Sequence, residues 1–284
     1  MSSSVLPPPP AQDSPSASLV GVLGWPIDHS KSPPLHNHWL ADLAIDAHYH
    51  RCPVHPDDLA AALDELRKPP WRGANLTMPH KQACLSLVDV LTDRARAARS
   101  VNTLIVREGM LIGDTTDGEG LLASLAQAGV DVRAGPILIL GAGGASYGAA
   151  TALAAHKAAP ILISNRTRAR AQALADHIGG AVIDWPPDPA CLADVRLLIH
   201  ATSLGMMGES QDLPSLEGLS SGAAVTDLIY APLETPLLRA AAIRGCKTVN
   251  GFGMFYHQAR LSFQLWFDVL PPVDPGLWQE LEAL

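Results

Sequence analysis

From Leu19 onward, short β-branched or aliphatic runs alternate with Ala/Leu-rich segments of helical length, and this alternation narrows the possible folds more than any other feature. Parallel strands cannot be joined by tight turns. Each needs a crossover, and helical crossovers cover both faces of the sheet they serve. The first part of the chain offers strands at Leu19–Leu23, His48–Val54, Ala74–Thr77 and Val101–Val106. The second part offers Ile137–Leu140, Ile161–Ser164, Ala181–Ile183, Leu197–Ala201, Ala224–Ile229 and Lys247–Val249. Helical stretches lie between them, among them Pro56–Arg67, Ala145–His156, Arg168–Ile178 and Pro236–Arg244. The last long helical run, Met254 to Leu270, has no strand after it and is expected to return to the first module. The fold class read from this pattern is α/β in two modules.

The bulk numbers agree. A chain of 284 residues, 48% of them hydrophobic, suits two α/β domains with a core each. At 5% aromatics those cores must be built from Ala, Leu, Ile and Val. A net charge of −8 argues against a nucleic-acid partner or an anionic membrane surface, since phosphate binding needs clustered Lys and Arg. It leaves room for a small anionic substrate at a locally basic site. Cys52, Cys84, Cys191 and Cys246 form no C-x-x-C pair, so a reducing, cytoplasmic setting is expected. Residues 1–18, with Pro7 to Pro10 in a row, read as a disordered or polyproline tail rather than a secretory signal. The uncharged stretch Ile137–Ala155 has membrane length, but Gly141, Gly143, Gly144 and Gly148 break a lipid-facing helix. A buried strand, a glycine turn and an Ala-rich helix explain it instead.

That strand–turn–helix unit is the most readable local feature. A glycine turn entering a helix presents free backbone N–H groups and a positive helix end to a pyrophosphate. The strict G-x-G-x-x-G spacing fails, because Ser146 stands where the third glycine would be. The next strand ends in Asn165-Arg166-Thr167, with Arg168 and Arg170 following. A carboxylate there would accept from ribose hydroxyls and repel a 2′-phosphate, whereas a guanidinium binds one bidentately. These residues favour NADP over NAD.

Three polar clusters sit near strand ends in the first part. Ser30-Lys31-Ser32, held between prolines, suits capture of a carboxylate or equally an N-cap before a Pro-led helix. Asn75-Leu76-Thr77-Met78-Pro79-His80-Lys81 puts a lysine beside a strand end. Asn102-Thr103 and Gly113-Asp114-Thr115-Thr116-Asp117-Gly118 complete the set, and Asp before Gly is usually turn chemistry. His36-x-His38 and His48-x-His50 carry no matching Cys or acid set, so they read as surface histidines and no metal is expected.

Taken in order, these clusters resemble one family, the shikimate dehydrogenases, over almost the whole chain from Leu19 to the last helix. Further matching segments are Ala201-Thr202-Ser203-x-Gly205-Met206, Asp227-Leu228-Ile229-Tyr230-Ala231-Pro232 and Gly251-Phe252-Gly253-Met254 with Gln258. The resemblance implies an N-terminal substrate domain with a mixed, mostly parallel sheet (19–117 and 254–284), a Rossmann-type NADP-binding domain (118–253), and a cleft between them. It implies a catalytic pair, Lys81 and Asp117. Ser30 and Ser32 match the substrate-carboxylate anchors, and Asn75, Thr77, Asn102, Tyr230 and Gln258 match positions around the ring hydroxyls. Gly141, Ala142, Gly143, Gly144 and Ala145 match the pyrophosphate loop, and Asn165, Arg166, Thr167 and Arg170 the adenosine-phosphate loop. Leu228 and Gly251 match backbone positions near the nicotinamide, and Asp93 a position sometimes assigned to the cofactor. Three departures stand out: Thr115, His200 and Asn250 occupy positions where the family usually has Asn, Asn and Asp.

The implied activity is reversible NADPH-dependent reduction of 3-dehydroshikimate to shikimate, with Lys81 as proton donor to the carbonyl oxygen. The alternatives are a relaxed quinate/shikimate or aminoshikimate dehydrogenase, because a pocket rejects one added hydroxyl by only about 10², and a non-catalytic regulator binding the same ligands. Retention of both Lys81 and Asp117 argues against the regulator. The expected partner is the small-molecule substrate alone, with the chain a monomer or homodimer.

Overall fold

The computed structural model describes residues 5–6, 17–202, 204–205 and 213–283. They form two compact units, Met1–Thr116 with Ala259–Leu284, and Asp117–Gln258. Asp117, expected at the end of the first domain, therefore opens the second unit, and the long helix after Gly251 changes unit at Ala259 rather than at Met254.

The first unit runs β1 (Ser18–Gly24), α1 (Ser32–Asp42), β2 (Ala47–Pro53), α2 (Leu59–Leu66), β3 (Gly73–Leu76), α3 (His80–Ala83), β4 (Val90–Leu91), α4 (Asp93–Ala98), β5 (Thr103–Arg107) and β6 (Met110–Asp114). Its sheet has the order β2-β1-β3-β5-β6-β4. Pairs β1–β2, β1–β3 and β4–β6 are parallel, while β3–β5 and β5–β6 are antiparallel, so the sheet is mixed and mostly parallel. The β5–β6 hairpin turns at Glu108-Gly109, both in the left-handed region (φ 52° and 77°), the backbone that matches the right-handed twist of a two-residue hairpin. Leu19, Leu23, Leu63, Leu66, Leu76 and Leu104 form the core.

Helix α1 opens with Pro33 and Pro34, whose missing N–H groups cost nothing in a first turn. It buries Leu35, His36, Trp39 and Leu40. The reading of surface histidines is thus corrected: His36 is fully buried and His50 is buried as well. His36 lies three residues before Trp39 and four before Leu40, on the apolar stripe of its helix. In the expected N-terminal tail, Leu6 is buried, and the N–H groups of Val5 and Leu6 donate to the Glu65 carboxylate, each at 2.9 Å. The rest of that tail, 1–4 and 7–16, lies outside the described residues.

The second unit runs α5 (Asp117–Gln127), β7 (Ile137–Leu140), α6 (Gly144–Ala155), β8 (Ile161–Ser164), α7 (Arg168–Ile178), β9 (Ala181–Val182), α8 (Pro189–Leu192), β10 (Leu197–His200), β11 (Ala224–Asp227), α9 (Pro236–Ile243) and β12 (Lys247–Val249). Helix α10 (Phe252–Phe267) then continues into the first unit, which α11 (Pro275–Ala283) completes. All pairings of the second sheet are parallel, in the order β12-β11-β10-β7-β8-β9. This is the doubly wound arrangement, whose order reverses at its first strand, β7. Ile137 and Ile139 face one apolar layer with Leu121, Ala149 and Leu153, while Leu138 and Leu140 face the other with Leu192, Val195 and Leu237. A central strand apolar on both faces is what a helix-covered parallel sheet demands. Among the described residues, no helix is long and apolar enough to cross a membrane.

Candidate active site

In the first unit, the predicted substrate residues gather at one end of three neighbouring central strands. Strands β1, β3 and β5 are neighbours, and β5 runs antiparallel, so the chain leaving β1 and β3 meets the chain entering β5. Backbone bonds tie these segments: Trp25 N–H donates to Met78 O (3.1 Å), Thr77 N–H to Leu23 O (3.0 Å) and Leu76 N–H to Asn102 O (2.8 Å). Lys81 lies on the short helix α3 and is half-buried; its carbonyl accepts from Val101 N–H at 2.9 Å. The preceding residue, His80, is buried and bonds through Nε2 to Val54 O at 2.9 Å. Burial lowers the His80 pKa, the Val54 bond opposes that, and His55 adds to it. A neutral His80 thus anchors the helix that carries the lysine.

Ser30 is half-buried and Ser32 buried, and Ser30 Oγ accepts the Ser32 N–H at 3.3 Å. Lys31 between them donates to Leu281 O at 2.9 Å. Asn75 and Asn102 belong to a buried polar network. Asn75 Oδ1 accepts from the Tyr49 hydroxyl (2.8 Å), and its Nδ2 faces Asn102 O (3.1 Å), Thr103 Oγ1 (3.3 Å) and Ser262 Oγ (3.0 Å). Asn102 Nδ2 donates to Thr116 Oγ1 (2.9 Å), and its Oδ1 accepts from Thr116 N–H and the Thr103 hydroxyl, each at 2.8 Å. Burial raises the Tyr49 pKa, although a hydrogen bond with Ser32 works against the rise. Tyr49, Thr103, Thr116 and Ser262 were not among the expected site residues, and neither was the neighbouring pair Arg94–Asp114, joined at 2.5 Å. Burial would raise the Asp114 carboxyl, but bonds from Arg94, Thr92 and the Thr115 N–H outweigh it and hold the carboxyl below its usual range. Asp93 is exposed and opens α4, behind the Thr92 cap.

In the second unit, Asp117 is buried and is the first residue of α5, so the Asp-Gly pair is a helix start rather than a turn. Gly118 is required by close packing: a Cβ there would stand 2.5 Å from Ala152 Cβ and 2.6 Å from Gly148 O of α6. The glycine turn follows β7. Gly141 has φ +114°, and a Cβ on it would lie 2.9 Å from both Ala201 O and Thr202 Cγ2. Ala142 is buried, Gly143 and Ala145 are exposed, and Gly144 is half-buried. A Cβ on Gly143 would meet nothing within 4 Å, so the turn is open on the side where the α6 N-terminus exposes its N–H groups. Ser146 keeps the third-glycine position by turning inward: it is buried, accepts from Gly143 N–H (3.3 Å) and donates to Ala201 O (3.5 Å).

Past β8, Asn165 donates to Thr167 O at 3.0 Å and braces its loop. Arg168 pairs with Asp184. Arg166 and Arg170 are exposed, and neither side chain has an ion pair among the described residues. An open glycine turn followed by two uncommitted guanidinium groups fits a nucleotide carrying a 2′-phosphate. Leu228 and Gly251 are brought together, since a Cβ on Gly251 would stand 2.5 Å from Leu228 O. Tyr230 stacks on Phe255 with centroids 5.3 Å apart, and burial raises its pKa. Gln258 donates to Phe255 O at 2.9 Å and lies against Gly120 of α5. Ser203 and Met206 of the Ala201–Met206 segment lie outside the described residues.

The only grouping of three possible metal-ligating side chains among the described residues is His38, Asp42 and Asp274; it does not include His48 and His50, whose rings lie 4.5 Å apart.

Comparison with known proteins points the same way. A family profile described as "Shikimate dehydrogenase substrate binding domain" matches residues 22–104, and one described as "Shikimate / quinate 5-dehydrogenase" matches 124–207. A protein named shikimate dehydrogenase (NADP(+)) from Acidiphilium cryptum is 45% identical over 267 residues, covering 94% of this chain and 96% of that protein. The crystal structure of shikimate 5-dehydrogenase from Thermus thermophilus in complex with NADP(H) and shikimate has a TM-score of 0.85 at 35% identity, covering 94% of this chain and 98% of that one. The enzyme from Listeria monocytogenes, in complex with shikimate and NAD, has a TM-score of 0.86 at 30% identity, covering 96% of this chain and 97% of that one.

Proposed function

We propose that this chain, which belongs to the shikimate dehydrogenase family, catalyses the reversible NADPH-dependent reduction of 3-dehydroshikimate to shikimate, an oxidoreductase step at a CH–OH group in aromatic amino acid biosynthesis. The observation that carries the reading is 45% identity to a named NADP-dependent relative across 94% of the chain, with both Lys81 and Asp117 present.

The nicotinamide supplies the hydride, and the protein supplies orientation and protons. The Lys81 ammonium gives a proton to the carbonyl oxygen as its carbon is reduced. In the reverse direction the Lys81 amine accepts the alcohol proton, with Asp117 as the carboxylate of the pair. Ser30 and Ser32 hold the substrate carboxylate by their hydroxyls, and Thr77, Asn75, Asn102, Tyr230 and Gln258 serve the ring hydroxyls. Residues 141–145 receive the pyrophosphate, and Asn165, Arg166, Thr167 and Arg170 the adenosine phosphate. Leu228 and Gly251 shape the nicotinamide end by their backbone, and Asp93 belongs to the cofactor set. The substrate is a small molecule, and the chain works in the cytoplasm as a monomer or homodimer.

The test is an absorbance assay for reduced nicotinamide with purified protein, shikimate and NADP, run beside quinate and NAD. Shikimate with NADP is expected to be the fastest pair. No NADPH above an enzyme-free control would refute the reading.

A further inference from the structure

His200 ends β10 with no exposed surface, in register with Asp227, the last residue of β11 and equally buried. Its Nε2 lies 2.6 Å from Thr202 Oγ1, and its Nδ1 approaches Asp227 Oδ1 at 3.1 Å, off the line of a straight hydrogen bond. Thr202 Oγ1 accepts the Leu204 N–H at 3.1 Å. Asp227 accepts the Ile229 N–H on Oδ1 (3.1 Å) and the Thr235 hydroxyl on Oδ2 (2.7 Å). The Nε2–Thr202 contact is the ring's one hydrogen bond among the described residues, and Nδ1 faces the Asp227 carboxylate without completing a second.

Both ends of the chain touch backbone that the proposed function uses. Thr202 Cγ2 and Ala201 O form the wall behind Gly141 of the glycine turn. Ile229, held by Asp227, follows Leu228, whose N–H donates to His200 O at 3.0 Å and whose carbonyl packs on Gly251. One imidazole therefore links the ends of β10 and β11, of which the first walls the glycine turn that follows β7 and the second leads into the Leu228–Gly251 contact. We propose that His200 is a positioning residue for NADP, a strut that sets these two backbone segments at the separation the dinucleotide needs, in a place where the family usually has Asn. The proposal rests on the nucleotide reading given above.

The test is calorimetric titration of wild type, His200→Phe, His200→Asn and Thr202→Val with NADP⁺ and, separately, with adenosine 2′,5′-bisphosphate. The smaller ligand reaches from the Arg166–Arg170 end to the glycine turn through its 5′-phosphate, but it has no nicotinamide half and does not extend to the Leu228–Gly251 end. His200→Phe is expected to weaken NADP⁺ about tenfold, the scale of one lost buried hydrogen bond. The bisphosphate should stay within about twofold of wild type, and His200→Asn, which keeps a donor toward Asp227, should bind NADP⁺ within about threefold. If His200→Phe does not fold, Thr202→Val removes the other half of the same contact and is expected to separate the two ligands in the same way. Wild-type NADP⁺ affinity in both His200→Phe and Thr202→Val overturns the proposal. So does a parallel loss of both ligands, which would mean general loosening of the unit. A wild-type protein that binds neither ligand overturns the nucleotide reading itself, a result the variants cannot mimic.

Discussion

His36 makes the first unit sensitive to acid. Its ring lies flat on Tyr49, 4.2 Å between centroids and 3° between planes, with Trp39, Phe263 and Trp266 on other sides. Among the described residues neither ring nitrogen has a hydrogen-bond partner to offset the cost of charging it, and burial lowers its pKa from 6.5 to about 3. Because the folded value lies below the unfolded one, the unfolded chain takes up the proton first as pH falls. The stability due to a neutral His36 is therefore complete above about pH 6.5 and is lost progressively toward pH 3. Each pH unit in that window costs about 1.4 kcal/mol, so pH 4.5 should remove roughly 3 kcal/mol, a large fraction of the ~5–15 kcal/mol of a typical domain. We predict that His36→Phe, which keeps an aromatic plate but cannot titrate, loses about 3 kcal/mol less than wild type between pH 7 and 4.5. The variant can start lower by about 1–3 kcal/mol through overpacking. That offset cancels when each protein is compared with itself, and the titration of His80 and the carboxylates cancels when the two losses are subtracted. Urea unfolding followed by tryptophan fluorescence reads the right unit, since of the six tryptophans only Trp185 lies in the second. Equal losses in the two proteins would refute the reasoning and place a proton, or water, on His36 in the folded state.

Four further outcomes are predicted. Lys81→Ala should lower kcat on the order of 10²–10⁴-fold with a smaller change in substrate KM, whereas Ser30→Ala should chiefly raise KM; near-wild-type turnover in the lysine variant removes Lys81 from the chemistry. Replacing Arg166 and Arg170 together with Ser should raise the KM for NADP about tenfold or more and leave NAD little changed, and an unaltered preference between the two nucleotides would place the 2′-phosphate elsewhere. Gly118→Ala should lower the melting temperature, at a cost of about 1–3 kcal/mol, because its methyl group has no room between α5 and α6; a stability equal to wild type would mean the helices separate freely.

Much of the second unit is legible before any coordinates. β7 and β8 fall where short apolar runs between breakers place them, because a helix-covered parallel strand advertises itself in four consecutive apolar residues. The first unit is less transparent. β6 is hidden because Met110–Asp114 is short, contains Gly113 and ends in a buried charge, and because its hairpin uses Glu-Gly rather than the stronger Asn-Gly or Asp-Gly signal. β4 is two residues long and has no periodicity to read. The buried state of His36 and His200 was signalled, one by an apolar helix stripe and the other by its place at the end of Leu197-Leu198-Ile199. A histidine's usual exposure outweighs the first signal, and His200 falls inside the expected strand Leu197–Ala201.

The hardest distinction lies in the polar residues of the site. Asn75 and Asn102 bear the right chemistry for ring hydroxyls, and residue type says nothing about which way an amide faces. Here both amides are engaged inward, linking Tyr49 of β2, the ends of β3 and β5, Thr116 and Ser262 of α10. A network with so many mutual partners is costly to disturb, since each buried polar atom left unpaired carries a penalty of about 1–3 kcal/mol. Its members therefore fix the strand ends from which Thr77 and the Lys81 helix project, and substituting Asn75 should lower stability and substrate affinity together. Ser30 differs: only part of its surface is buried and its own N–H is bonded to Ile27 O, so its loss should affect affinity more than stability. Comparing the two variants by melting temperature and KM separates a residue that holds the site from one that holds the substrate. A full-strength fold in Asn75→Ala would show that the network is dispensable for stability and leave Asn75 only its role toward the ring hydroxyls.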